Sequence, residues 1–74
     1  MAKKGESGVY RVTEVIGTSS SSWEDAAKNA VATASSTIRD LRIAEITKLD
    51  IRLEEGGKVV QFRARVSLSF KYEA

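Results

Sequence analysis

The segment from Val59 to Tyr72 reads VVQFRARVSLSFKY, and its residues alternate between two faces without a break. The apolar face carries Val60, Phe62, Ala64, Val66, Leu68, Phe70 and Tyr72. The polar face carries Gln61, Arg63, Arg65, Ser67, Ser69 and Lys71. Alternation with a period of two over this length predicts a β-strand that buries one of its faces.

This predicted strand is longer than the globule that so short a chain can form. Residues 59–72 would span roughly 46 Å at ~3.3 Å per residue. A compact chain of 74 residues has a radius of gyration of about 11 Å, and therefore a diameter near ~30 Å. Part of the strand is expected to lie against another molecule, and copies of the same chain are the expected partners.

The composition limits how a domain of this size can be stabilised and which chemistry it can perform. Cysteine is absent, which excludes disulfides and thiolate zinc sites, and oligomerisation is the remaining way to complete a small core. Histidine is also absent, which removes the commonest catalytic base and metal ligand. No serine has an evident base beside it, and the adjacent Glu54 and Glu55 diverge in a turn. We therefore predict that the protein is not an enzyme.

The distribution of charge and the first residues of the sequence indicate which partners and which cellular location to expect. The net charge is +2, and acidic and basic residues are intermixed along the chain. The sequence has no basic cluster interleaved with aromatic residues, so we do not expect a nucleic-acid partner. The opening MAKKGESG is too polar for a signal peptide, and no apolar run reaches membrane length. We expect a flexible tail over residues 1–8, a single domain over residues 9–74, no membrane contact and a cytoplasmic location.

A short strand followed by a helix is predicted after the tail. Val9 to Ile16 alternates and is rich in β-branched residues, and Gly17 is expected to end this strand. Ser21 or Ser22 would then cap a helix from about Trp23 to Arg39, in a capping box with the acidic residue three positions later. The apolar stripe of this helix comprises Ala26, Ala27, Ala30, Val31, Ala34, Ile38 and Leu41.

A long hairpin closes the chain. A second strand from about Ile43 to Glu54 is followed by Gly56 and Gly57, which suit a two-residue type I′ turn. Counting back from that turn pairs Leu53 with Val60, Ile51 with Phe62, Leu49 with Ala64, Thr47 with Val66, Asp50 with Arg63, Arg52 with Gln61, and Lys48 with Arg65. The Asp50–Arg63 pair favours this register, whereas like charges at Lys48 and Arg65 oppose it mildly.

The same count places Glu45 on the core face, opposite Leu68. Either a bulge between Ala44 and Thr47 shifts the parity, or Glu45 meets a cationic partner at a subunit contact. We favour the bulge, because it also turns Ala44 and Ile46 inward. The element order is then strand, helix, strand, strand, and a right-handed crossover leaves room for the third strand between the first two, antiparallel to both.

Three motifs in this order resemble the dodecin family. They are Val15-Ile16-Gly17-Thr18-Ser19, then Ser22-Trp23-Glu24-Asp25-Ala26-Ala27, then Ile43-Ala44-Glu45-Ile46 with Val66-Ser67-Leu68-Ser69-Phe70. The resemblance covers nearly the whole chain after the tail. It implies an α+β protomer of βαββ order, with a three-stranded antiparallel sheet wrapped on one helix, and a hollow homododecamer of cubic symmetry.

The resemblance also bears on the ligand. Flavin-binding dodecins carry a stacking tryptophan where this chain has Ile43, and a ring-binding glutamine where it has Arg63. Ile43 offers no π face, so flavin binding of the usual kind is not expected. Ser22-Trp23-Glu24, Arg42-Ile43-Ala44 and Arg63 are closer to the calcium dodecin branch, which implies a calcium or other divalent cation site.

The candidate site residues follow from this resemblance and from calcium's preference for several oxygen ligands. The family's ligand-pocket positions are Ile43, Glu45 and Arg63, and the metal candidates are Glu45, Asp50 and Glu54, shared across a symmetry axis. A structural interpretation stays open for each carboxylate: Asp50 pairs with Arg63, Glu54 is a solvated turn residue, and Glu45 forms a subunit salt bridge.

The predicted function is binding or sequestering of a small ligand or ion at subunit interfaces of a dodecameric shell. One alternative is a flavin-binding dodecin that stores riboflavin or FMN, with Trp23 or Tyr72 as the stacking face. A second alternative is a structural assembly with no physiological ligand.

Overall fold

The computed structural model describes residues 8–71 and contains a strand, a helix and a long β-hairpin. β1 spans Tyr10–Ser19, α1 spans Trp23–Ser35, β2 spans Leu41–Glu54 and β3 spans Lys58–Lys71. The three strands form one antiparallel sheet in the order β1-β3-β2. The predicted α+β class, the βαββ order and the central position of the last strand are confirmed. Tyr72 and most of the predicted tail, residues 1–8, lie outside the described residues.

The core lies between α1 and the central strand. Ala26, Ala30 and Ala34 of α1 are buried, as are Ala64, Val66 and Leu68 of β3. Partly buried Val15, Ala27, Val31, Ile38 and Leu41 pack around this cluster. The predicted alanine stripe is confirmed, and its small side chains let the helix approach the sheet closely.

The helix ends earlier than predicted, at Ser35 and not near Arg39. The hydroxyls of Ser35 and Ser36 donate to the carbonyl oxygens of Ala32 and Thr33, at 3.1 and 2.6 Å. Thr37 Oγ1 donates to the Ala34 carbonyl oxygen at 3.3 Å. Hydroxyls that bond the last helical carbonyls end the helix here, because they satisfy the groups that another turn would use.

β1 runs past the glycine that was expected to end it, and continues through Ser19. Gly17 pairs with Ala64 inside the sheet and is buried. A Cβ atom at this position would lie 2.0 Å from the Ala26 carbonyl oxygen. Gly17 is therefore a close-packing residue under α1, and the prediction that it terminates the strand is wrong.

The hairpin register was predicted correctly in the middle and wrongly at both ends. Asp50 pairs with Arg63, Ile51 with Phe62, Leu49 with Ala64, Arg52 with Gln61, and Lys48 with Arg65, as predicted. A register shift between Ile46 and Lys48 leaves Thr47 without a cross-strand partner in the register, and Ile46 pairs with Val66. The predicted Thr47–Val66 pair is therefore wrong, whereas the preferred bulge is confirmed. Glu45 consequently lies opposite Ser67 and not opposite Leu68.

The turn contains three residues, Glu55–Gly57, in place of the predicted two. Gly56 and Gly57 both have φ near 80°, which only glycine adopts without strain. With this loop Leu53 pairs with Val59, so the predicted Leu53–Val60 pair is wrong. A second register shift, between Arg52 and Leu53, means that the strand pairs from Arg52–Gln61 away from the turn again match the predicted register.

The protomer is long and only partly covered by its helix. Its extents are 60 × 21 × 17 Å, whereas a helix of 13 residues is only ~20 Å long. On the helix side of the sheet, Ile46, Leu49, Ile51 and Leu53 form what we call the β2 apolar strip, and they are 51%, 50%, 39% and 53% exposed. No helix within residues 8–71 is both long and apolar enough to cross a membrane.

Candidate functional site

The sheet face turned away from α1, which we call the open face, carries most of the predicted ligand positions. Ala64, Val66 and Leu68 are buried under α1, so the residues between them on β3 point to the opposite side. The strand pairing places on this open face Val12, Glu14, Ile16 and Thr18 from β1, Gln61, Arg63, Arg65, Ser67 and Ser69 from β3, and Ile43, Glu45, Lys48, Asp50 and Arg52 from β2.

An ion pair between Asp50 and Arg63 lies on this face. Arg63 Nε donates to Asp50 Oδ1 at 2.7 Å, and Arg63 Nη2 donates to Oδ2 at 3.4 Å. This hydrogen bonding, followed by the fields of Arg63, Arg65 and Lys48, lowers the pKa of Asp50 below its usual range. The same pairing raises the pKa of Arg63. Because the Asp50 pKa is depressed, the pair's stabilisation is present above the ordinary carboxyl pKa and is lost as the pH falls through the lowered value.

Lys48 and Arg65 are direct cross-strand neighbours on the open face. Arg65 Nη1 lies 3.5 Å from Glu14 Oε1, a contact between two side chains that are each about half exposed. The strand register places both cations two residues from the Asp50–Arg63 pair, on the same face of the sheet. The centre of the open face therefore combines three cations, Lys48, Arg63 and Arg65, which we call the cationic patch.

Trp23 connects the start of the helix to the same region from the other side of the sheet. Its Nε1 donates to the backbone carbonyl oxygen of Asp50 at 3.0 Å. Its ring meets Phe62 edge to face, with centroids 5.1 Å apart and an interplanar angle of 73°. These two contacts attach the start of α1 to β2 and to β3, so Trp23 has a structural role in holding the helix against the sheet.

The start of α1 is fixed by a small hydroxyl network. Ser22 is the N-cap, and its Oγ accepts from the Asp25 amide at 3.0 Å. Ser21 does not cap the helix: its own amide donates to Ser19 Oγ at 2.9 Å. Ser19 is buried and donates to Asp25 Oδ2 at 2.7 Å. Sequence reasoning missed Ser19, because its role depends on β1 continuing through Gly17.

The three family ligand positions do not form one pocket within a protomer. Ile43 pairs with Ser69, and Arg63 lies six residues earlier on β3, which corresponds to about 20 Å. Glu45 lies between them, opposite Ser67. All three share the open face, so a pocket that uses all of them needs contributions from more than one copy.

The three metal candidates are likewise spread along the hairpin. Glu45, Asp50 and Glu54 pair with Ser67, Arg63 and Lys58, which separates the outer two by roughly 30 Å. Within residues 8–71 no group of three or more acidic residues could hold a metal ion. The carboxylates that the structure describes in one protomer therefore do not by themselves supply the six or more oxygen ligands that calcium needs.

Comparison with known proteins is consistent across sequence and structure. The Dodecin family model matches residues 9–73. Calcium dodecin from Mycobacterium tuberculosis is 40% identical over 63 residues, which cover 85% of this chain and 87% of the relative. A solved structure of that organism's calcium dodecin, described as calcium chelating with a novel calcium-binding site, is 38% identical with a TM-score of 0.77, covering 88% of this chain and 91% of that one.

A second solved structure extends the comparison to another organism. Dodecin from Streptomyces coelicolor is 38% identical with a TM-score of 0.84, and the match covers 92% of this chain and 96% of that chain. The family model spans the strand, the helix and the hairpin described above. The protein therefore belongs to the dodecin family.

Proposed function

We propose that this dodecin assembles into a hollow homododecamer that binds and sequesters a small ligand at its subunit interfaces. The β2 apolar strip supports assembly, because four large aliphatic side chains are each at least 39% exposed in the protomer. Burying apolar surface stabilises by about 25 cal/mol per Å², so a neighbouring copy on this strip would contribute substantially. Sedimentation velocity or native mass spectrometry tests the copy number, and a monomeric mass would contradict the proposal.

We further propose that the ligand is calcium or a similar divalent cation, held by carboxylates from several copies. The relative at 40% identity is a calcium dodecin, and this similarity carries the proposal. Among the three candidate carboxylates, Glu45 is the most suitable: it is exposed on the open face opposite the neutral Ser67. Asp50 is already bonded to Arg63, and Glu54 is the last residue of β2, directly opposite the cation Lys58 in the strand register.

Calorimetric titration with calcium tests this assignment on the assembled protein. We expect saturable binding that Glu45→Gln weakens at least tenfold, because a coordinating charge is lost. Glu55→Gln in the hairpin loop removes the same charge away from the open face and should leave the affinity unchanged. Absence of heat with the unsubstituted protein, together with an unchanged melting temperature, would contradict the calcium proposal.

Flavin binding in the family's usual manner is less well supported by the geometry. Ile43 has no ring to stack on a flavin, and Arg63 is engaged by Asp50. Riboflavin fluorescence measured during titration with the protein separates the two ligand classes. Quenching at micromolar protein would favour the flavin alternative over the cation.

A further inference from the structure

We propose that two copies of this protein join along the outer edge of β2, in an antiparallel register centred on Ile51. The three-stranded sheet of one copy would then continue into the sheet of the other across a two-fold axis. The inference rests on the assembly proposed above and deepens it, because it names the strand edge and the register by which two copies meet.

β2 has an open edge. The strand order β1-β3-β2 places it at one side of the sheet, and within residues 8–71 it pairs with β3 alone. Residues 42–54 are all exposed in the protomer. Trp23 Nε1 donates to the Asp50 carbonyl oxygen, which has a second acceptor site. A long edge of this kind is a template for pairing with another strand, because its outward N–H and C=O groups have no partner in the sheet.

The last seven residues of β2, 48–54, carry a pattern that is complementary to itself when reversed. Aliphatic residues of the β2 apolar strip alternate with charged residues, and the charges are positive, negative, positive and negative in chain order. A two-fold axis at Ile51 places every cation opposite a carboxylate and every aliphatic residue opposite another. The resulting pairs are Lys48 with Glu54, Leu49 with Leu53, and Asp50 with Arg52.

Other registers do not have this complementarity. An axis at Asp50 places that residue opposite itself and Lys48 opposite Arg52. An axis at Arg52 likewise places Asp50 opposite Glu54. Like charges directly opposite each other destabilise a sheet. Axes nearer to either end of the segment meet the bulge at Thr47 or the hairpin turn, so the charges favour the register centred on Ile51.

The ion pairs of the protomer leave Lys48 in need of an anion. Lys48 belongs to the cationic patch and lies directly opposite Arg65, an arrangement that is repulsive. Among the described residues Lys48 forms no ion pair. Glu54 of a second copy would supply the missing negative charge.

Asp50 also has room for a second cation. Its side chain is 54% exposed although it bonds to Arg63. An ionised carboxylate has about four acceptor sites, so Arg52 of a second copy can bond to it without displacing Arg63. The centre of the proposed contact would then be an aliphatic pair flanked on both sides by ion pairs.

Cysteine cross-linking tests the register, because the chain has no cysteine of its own. Residues directly opposite each other on antiparallel strands have Cα atoms about 4.5–5.5 Å apart, which a disulfide can bridge. We expect Ile51→Cys to form a covalent dimer in most chains under mild oxidation. Non-reducing gel electrophoresis in denaturant measures this yield.

Leu49→Cys and Leu53→Cys are the matched controls. In the proposed register the two copies of Leu49 lie four residues apart along the strands, or about 13–14 Å, and so do the two copies of Leu53. This distance is too long for a disulfide, so each single variant should give about tenfold less dimer than Ile51→Cys. The double variant Leu49→Cys/Leu53→Cys places cysteines opposite each other and should cross-link.

Charge exchange tests the ion pairs independently of cysteine chemistry. Lys48→Glu places a carboxylate opposite Arg65 in its own protomer, which is favourable, and opposite Glu54 of the second copy, which is not. The concentration for half-dissociation, measured by sedimentation of a dilution series, should rise about tenfold or more. Adding Glu54→Lys should restore it to within about threefold of the unsubstituted protein. Arg52→Gln removes an attraction without adding a repulsion and should keep the particle mass.

The outcomes separate this inference from the assembly on which it rests. A particle of full mass in which Ile51→Cys cross-links no better than Leu49→Cys would overturn the inference alone. Failure of Glu54→Lys to rescue Lys48→Glu would overturn it as well, including where Ile51→Cys does not fold. A monomeric unsubstituted protein would contradict both proposals.

Discussion

Gly17 shows how a single missing side chain positions the helix. A Cβ atom at this residue would lie 2.0 Å from the Ala26 carbonyl oxygen and 2.8 Å from the Ala30 Cβ atom. The backbone of β1 therefore approaches α1 more closely than any other residue type allows. This close approach is what lets short alanine side chains fill the space between helix and sheet.

We predict that Gly17→Ala lowers the free energy of unfolding by about 1–3 kcal/mol, because the helix must move away from the sheet. Chemical denaturation with helical circular dichroism as the signal would measure this change. Ser20→Ala, at an exposed position nearby, is the control and should change stability by only a few tenths of a kcal/mol. A stable Gly17→Ala protein would show that α1 does not pack against β1 at this point.

At the residue scale, some contacts were predictable and others were not. The Asp50–Arg63 pair follows from counting along a hairpin whose strands alternate regularly. The role of Gly17 does not, because a glycine at the end of a strand and a glycine beneath a helix look alike in sequence. Only the position of α1 distinguishes them.

At the element scale, one serine in a run of four, Ser22, is the N-cap of α1. Ser22 Oγ accepts from the Asp25 amide, whereas Ser21 contributes only its backbone amide to Ser19. We predict that Ser22→Ala destabilises the protein by about 1 kcal/mol, because an N-cap hydrogen bond is lost.

The matched control for the cap is Ser21→Ala, which keeps the backbone bond and should leave the melting temperature close to that of the unsubstituted protein. Thermal unfolding of the two variants side by side measures the difference. Equal melting temperatures would mean that the cap hydrogen bond does not contribute to stability.

The elements themselves were largely predictable, and their ends were not. The bulge near Thr47 could be inferred because a regular count buried the carboxylate of Glu45. The three-residue turn could not, because paired glycines suit turns of more than one length. The helix ends where the side-chain hydroxyls of residues 35–37 donate to backbone carbonyl oxygens of the last helical turn. Helix propensity alone does not predict that position.

At the scale of the whole molecule, the β2 apolar strip is the feature that favours assembly. We predict that Leu49→Gln, at a strip position that is 50% exposed, reduces the mass of the particle. A polar group at a buried subunit contact without a hydrogen-bond partner costs roughly 1–3 kcal/mol per copy. Sedimentation velocity would detect the smaller species.

Arg52→Gln, on the open face of the same strand, is the control for the assembly experiment and should sediment as the unsubstituted protein does. If Leu49→Gln also retains the full mass, the strip is not a subunit contact. The far-ultraviolet circular dichroism spectrum of each variant would show whether the protomer is still folded.

The sequence predicts assembly from length alone, since a strand of this span is longer than a compact globule, and the 60 Å extent of the protomer is consistent with that prediction. It could not assemble a ligand site in the same way. Ile43, Glu45 and Arg63 share a face but are separated along the hairpin, and contacts between copies are not encoded in the spacing of residues along one chain.

The incomplete coverage of the sheet by α1 has a consequence for how the protein should be handled. If neighbours complete the core, folding and association are linked by mass action, and dilution weakens both together. The temperature of the unfolding transition should then rise with protein concentration, as it does not for a self-sufficient domain.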